Sequence, residues 1–181
     1  MNDTLATAAE YLRLAIETDT LPASFVRQWA DAIIAADPQP TGDIVEVSWS
    51  RDTRDIIAAL NGVEGDRDFE LAERWFCRTL HSQLRAGREP SDVIRAARHA
   101  LFNNDLALES YYAAGTLEDD LQLADMGVHG SPPEVKERIA KFLDGNAAES
   151  IPPTLKKRSV GRCTSQGVEH RGGESLTQRL R

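Results

Sequence analysis

An all-α fold, a single-domain irregular bundle of about eight or nine short helices, is what this sequence predicts from three observations. Apolar residues recur at three- and four-residue spacing through most of residues 5–143. The interruptions of that rhythm fall at Pro, Gly or capping residues. The length, 181 residues, suffices for one domain with a real core and hardly for two.

The elements follow in order. Leu5, Ala8, Leu12, Ala15 and Ile16 form one stripe behind an Asn2/Asp3 cap. A second helix has Pro22 in its first turn and Phe25, Trp29, Ile33 and Ala36 on one face, and it stops at Asp37-Pro38. After a Pro/Gly turn, Ile44 to Trp49 can be read two ways. Its β-branched residues favour a strand, whereas Asp43 and Glu46 have capping-box spacing and favour a short helix. A lone strand would have nothing to pair with in a helical chain, so helix is the expectation.

Asp52 or Thr53 can cap a helix carrying Ile56, Ile57, Leu60 and Val63, with Gly62 and Gly65 at its end. A longer helix aligns Phe69, Ala72, Phe76, Leu80 and Leu84, with Trp75 beside them, and stops at Gly87. Pro90-Ser91 opens the next, which buries Val93, Ile94, Ala97 and Leu101. Two short helices are expected after it, one from Asp105 with Leu106, Leu108 and Tyr112, the other from Leu117 to Asp125, ended by Gly127. Ser131-Pro132-Pro133-Glu134 is a strong start signal for a last helix, which buries Val135, Ile139, Phe142 and Leu143 and ends at Gly145. Residues 1–145 therefore read as the helical domain. Residues 146–181 lack this rhythm and, with Pro152-Pro153 and four glycines, read as a disordered basic tail.

Charge divides the chain in the same way. Residues 151–181 hold seven Lys/Arg against two Asp/Glu, a net of +5, and the overall −8 leaves −13 on residues 1–150. A body of that sign repels nucleic acid and anionic membrane and attracts basic partners. The longest uncharged apolar run, Ala32 to Ala36, is far below the roughly 18–20 residues a bilayer requires. The N-terminal Met-Asn-Asp-Thr is unlike a signal peptide, and Cys77 and Cys163 make no disulfide framework, so a cytoplasmic protein is expected.

Catalytic signatures are missing. No Gly-x-Ser-x-Gly, P-loop, dinucleotide glycine fingerprint or His-Glu-x-x-His occurs. Cys77 and His81, four apart on one helix, are half of a metal site, and no second Cys/His pair completes it. The plain reading has Cys77 filling a core gap with His81 at its edge, and no cofactor is expected. Asn61 to Glu70 lacks the order of a calcium loop. Trp29 and Trp75 follow the apolar stripes of their helices, whereas Trp49 lies outside any stripe.

The segment from Asp105 to Met126 stands apart. It contains Asp105, Glu109, Glu118, Asp119, Asp120 and Asp125 and no Lys or Arg, with Tyr111 and Tyr112 in the middle. Like charges so gathered repel one another, and a partner's cations would relieve the repulsion. Tyr is enriched among interface hot spots. The candidate partner-binding residues are Glu109, Tyr111, Tyr112, Glu118, Asp119 and Asp120. The competing reading is a solvated helical face with one Tyr turned inward.

Phe25-Val26-x-x-Trp29-Ala30-Asp31, then Ile44-Val45-Glu46-Val47-Ser48, and later Leu121 to Asp125, Gly127-Val128-His129-Gly130, Pro133-Glu134-Val135 and Ile139-x-x-Phe142-Leu143 carry a resemblance. The chain resembles a group of small, acidic, all-helical bacterial proteins of uncharacterised function, some of which look like toxin-immunity proteins. The likeness spans about residues 5–145 and consists of packing motifs. In surface chemistry, Tyr111-Tyr112 beside acids is also similar to the paired tyrosines of colicin nuclease immunity proteins, although Ala113 stands where those have Pro.

The expected function is a non-enzymatic, immunity- or antitoxin-like domain that docks a basic protein partner, such as a toxin, through an acidic Tyr-bearing face. The rival readings are a self-associating helical scaffold, such as a homodimer, and a cryptic enzyme built on Cys77 and a histidine.

Overall fold

The computed structural model describes residues 2–102 and 108–155, and these are helical with no strand among them. The helices are α1 (Asn2–Glu17), α2 (Ala23–Ala36), α3 (Gly42–Trp49), α4 (Thr53–Gly62), α5 (Phe69–Arg85), α6 (Pro90–Phe102), α7 (Leu108–Asp125) and α8 (Pro132–Gly145), followed by a 3-10 turn at Pro153–Leu155. The all-α bundle expected from apolar spacing is therefore the observed architecture. The side chains of Asn2 and Asp3, the start at Asp105-Leu106 and the segment 156–181 lie outside the described residues.

Two groups of three helices are joined by a central pair. α1 packs against α5, α4 and α2, with α3 bridging α2 and α4. α5 in turn packs against α6 and α8, and α7 lies between these two. α1 is consequently covered on nearly every side, and from Ala6 to Leu12 each residue is buried. The single stripe read from its sequence understates this, because burial extends to the polar residues Thr7 and Glu10.

Glu10 is paired in that setting with two arginines. Arg13 Nε donates to its Oε2 at 3.1 Å, and Arg67, which lies on the chain between α4 and α5, donates from Nη1 to the same oxygen at 3.0 Å. Arg67 Nη2 also donates to the carbonyls of Leu60, Asn61 and Val63, so one guanidinium caps the end of α4 and ties it to α1. Arg13 turns its other arm to Glu17 at 2.7 Å. The hydrogen bond that Arg13 donates to Glu10 is the first cause holding Arg13 above its ordinary value.

Other helix ends follow the sequence closely. Asp52 accepts from the Asp55 N–H at 2.9 Å at the start of α4, and Ser131 N donates to Glu134 at 3.2 Å at the start of α8. Asp68, which sequence reading passed over, caps α5 through the Leu71 N–H at 2.9 Å. α7 closes with Val128 N on the Leu123 carbonyl and Gly127 N on that of Ala124, a Schellman arrangement that needs the positive φ (70°) of Gly127.

Three elements differ from or resolve the sequence reading. Residues 42–49 are helical, and α3 buries Ile44 and Val47, three apart, between α2 and α4. Where two short helices were expected around Leu108 and Leu117, α7 runs unbroken through Gly115, because packing against α6 and α8 outweighs the propensity penalty of one glycine. Packing also continues ten residues past Gly145. The Ala148 N–H donates to the Arg74 carbonyl, Arg78 donates to the Glu149 carbonyl, and Leu155 is buried. Isolated anchors of this kind have no helical period to announce them.

Candidate functional site

α7 is unusual among the helices in carrying apolar residues on two opposite sides. Ala114, Leu117, Leu121 and Ala124 are buried. Leu108, Tyr112, Leu123 and Met126 are exposed, Tyr112 by 63% and Met126 by 66%. Tyr112, Leu123 and Met126 fall within one outward sector when residues are placed about 100° apart, and Val128, past the helix end, is exposed as well. Leu108, read from sequence only as an apolar residue of a short helix, lies on this outer side with Tyr112, one of the candidate partner-binding residues. α6 and α8 already occupy the flanks of α7, and no other helix among the described residues covers them.

The six candidate residues do not share a face. Glu118, Asp119 and Asp120 are consecutive, so on a helix they fan through about 200°. Glu118 points to α6, where Arg98 Nη1 donates to its Oε2 at 2.9 Å and Arg95 lies 3.7 Å away. Asp120 turns the other way and pairs with Arg138 of α8 at 2.8 Å. Asp119 and Glu109 are exposed and form no ion pair among the described residues. The charge sequence alone left unopposed is thus partly answered within the molecule, by arginines on neighbouring helices.

The tyrosines divide in the same way. Tyr111 is half-buried between the rings of Phe102 (5.6 Å) and Tyr112 (5.5 Å), with the Arg98 guanidinium 5.1 Å over its face. Arg98 Nη2 also reaches the Tyr111 hydroxyl at 3.3 Å. Glu118 and then Tyr111 raise the Arg98 pKa, which fixes an already permanent cation in place. Tyr111, Arg98 and Glu118 therefore form a support, and Tyr112 is the tyrosine left exposed. Exposed Phe102 extends this aromatic edge from the end of α6.

Cys77 offers no reactive thiol. It is almost fully buried, and desolvation, then the nearby charge of Glu73, pushes its pKa up to about 12. A thiol in that range leaves about one thiolate in 10⁵ at pH 7. His81 is engaged on both nitrogens: Arg85 Nε donates to its Nε2 at 3.4 Å, and its Nδ1 lies 3.7 Å from Asp144. In the native protein iodoacetamide at pH 7.5 should leave Cys77 unmodified over hours, with alkylation appearing only after urea unfolding. Mapping of the Cys77 peptide by mass spectrometry checks this, and rapid native labelling would restore a nucleophile to consider.

No group of three or more His, Cys, Asp or Glu that could hold a metal occurs among the described residues. No helix among them is long and apolar enough to cross a membrane. Comparison with protein-family models, with curated proteins and with solved structures found no match to the chain.

Proposed function

We propose that this chain is a non-enzymatic protein-binding domain that docks a basic protein partner through the outer face of α7. The observation that carries the reading is the second apolar side of that helix, Leu108, Tyr112, Leu123 and Met126, exposed beside the acids Glu109 and Asp119. An apolar centre with a charged rim is the usual anatomy of a protein interface, and the net charge of −8 selects for a basic partner and speeds its approach. Stoichiometric masking of a basic protein, as an immunity protein masks its toxin, is the role this chemistry suits.

Self-association through the same row is the second reading. Its apolar residues suit it, but in a two-fold pairing the like-charged Glu109 and Asp119 of two copies would be brought together, which is unfavourable. A heterologous basic partner relieves that repulsion.

Capture from source-cell lysate with the full chain as bait, run beside Tyr112→Ala and Leu123→Asp baits, tests the proposal. A basic protein retained by the wild type and lost from both variants is the expected result. The same proteins on all three baits would overturn it. A wild-type mass in sedimentation that doubles with concentration, and does so only while Leu123 is intact, would favour the self-associating scaffold.

A further inference from the structure

Trp49 is 79% exposed, whereas Trp29 and Trp75 are buried. It ends α3, opposite the Ile44 and Val47 side that anchors this helix. Trp49, with Glu46 one turn before it and Ser50 just past the helix end, meets the α4 face of Asp55, Ala58 and Ala59 in a cleft of about 430 Å³. The carboxylates of Glu46 and Asp55 make no hydrogen bond or ion pair among the described residues, and the Trp49 indole has no ring or cation neighbour there. Arg27 donates to the Ser50 carbonyl at 3.2 Å but is not among the residues lining the cleft. The contrast with α6 and α7 is chemical: there Arg98 already supplies the cation for Tyr111 and Glu118.

We propose that this cleft receives one arginine side chain of a basic protein partner, its guanidinium stacked on Trp49 and paired with Glu46 and Asp55. Three features point to arginine. An indole is the strongest cation–π platform among the side chains. A planar guanidinium can stack on it while its N–H groups reach carboxylates at the ring edge, which the compact ammonium of lysine cannot do equally. The lining has two acids and no base, so the cleft complements a cation and disfavours an anion. The site is independent of the α7 reading, since α3 packs on α2 and α4 whereas α7 packs on α6 and α8.

The test uses the full ¹⁵N-labelled chain and a capped Gly-Ser-Arg-Ser-Gly peptide, with the three indole N–H resonances as reporters. The Trp49 signal should shift saturably with a dissociation constant of about 1–10 mM, the scale of a single anchor side chain, while those of Trp29 and Trp75 stay fixed. The citrulline peptide should bind at least about 10-fold more weakly, as should the arginine peptide to Glu46→Gln/Asp55→Asn. Neither carboxylate makes an internal bond among the described residues, so that variant keeps its fold, and unchanged Trp29 and Trp75 resonances verify it. A linear, unsaturated shift, equal affinity for the lysine or citrulline peptide, or an unaltered response of the double variant would overturn the proposal. So would a Trp49 resonance that already sits at the bound position without peptide and moves on neutralising the acids, because the occupant would then be this chain's own tail.

Discussion

Glu10→Ala should lower the unfolding free energy by about 3 kcal/mol, the lower part of the range for breaking a buried ion pair. The Glu10 side chain is 5% exposed, Arg13 14% and Arg67 13%. Removing the carboxylate leaves two guanidinium groups in low dielectric with less compensation. Neither is fully orphaned, since Arg13 keeps Glu17 and Arg67 keeps three carbonyls at the end of α4, which is why the lower part of the range applies. For a chain of this size the change corresponds to about 6–12 °C in Tm. Urea unfolding should show an earlier midpoint at unchanged slope. A loss below about 1 kcal/mol would mean that both arginines swing into water when freed. A Glu10→Ala/Arg67→Ala cycle should give a coupling of about 1–3 kcal/mol, because Arg67 acts on α1 chiefly through this carboxylate.

That cluster marks where sequence reading stops. Helix starts and stops were legible because their causes are local. Asp52 caps its own helix, Glu134 reaches back three residues, and Gly127 supplies a positive φ where α7 closes. A buried Glu10 was not legible, because its second partner, Arg67, is 57 residues away and looks in sequence like an ordinary loop cation. The same limit applies to the candidate site. Six acids without a base in one segment suggested unopposed charge, yet Arg98 and Arg138 arrive from other helices to meet Glu118 and Asp120. The exposed row on α7 escaped notice for a different reason. Apolar residues on both sides of a helix blur its periodicity, and nothing local says which side the bundle will cover. Trp49 was visible as an exception to the stripes, but its cleft depends on how α3 meets α4.

Tyr112→Ala should weaken binding of the proposed basic partner by about 30-fold, the effect of an interface hot spot worth about 2 kcal/mol, with Tm unmoved. The indifference of Tm follows from the 63% exposure of Tyr112. Its ring contact with Tyr111 is one of two that Tyr111 makes, and Phe102 keeps the other. Most of the loss should appear as faster dissociation. Asp119→Asn should instead slow association a few-fold and flatten its dependence on salt, because an exposed rim acid acts by steering. Glu118→Gln should behave in the opposite sense. Its charge is spent on Arg98 and Arg95, so it should alter partner association little and lower stability by less than about 1 kcal/mol, as for a partly exposed pair. Stopped-flow association at two ionic strengths, together with thermal melts of the same three variants, separates these effects. Equal losses from Asp119→Asn and Glu118→Gln, with Tyr112→Ala near wild type, would return the binding face to the acids as a group and remove the apolar row from its centre.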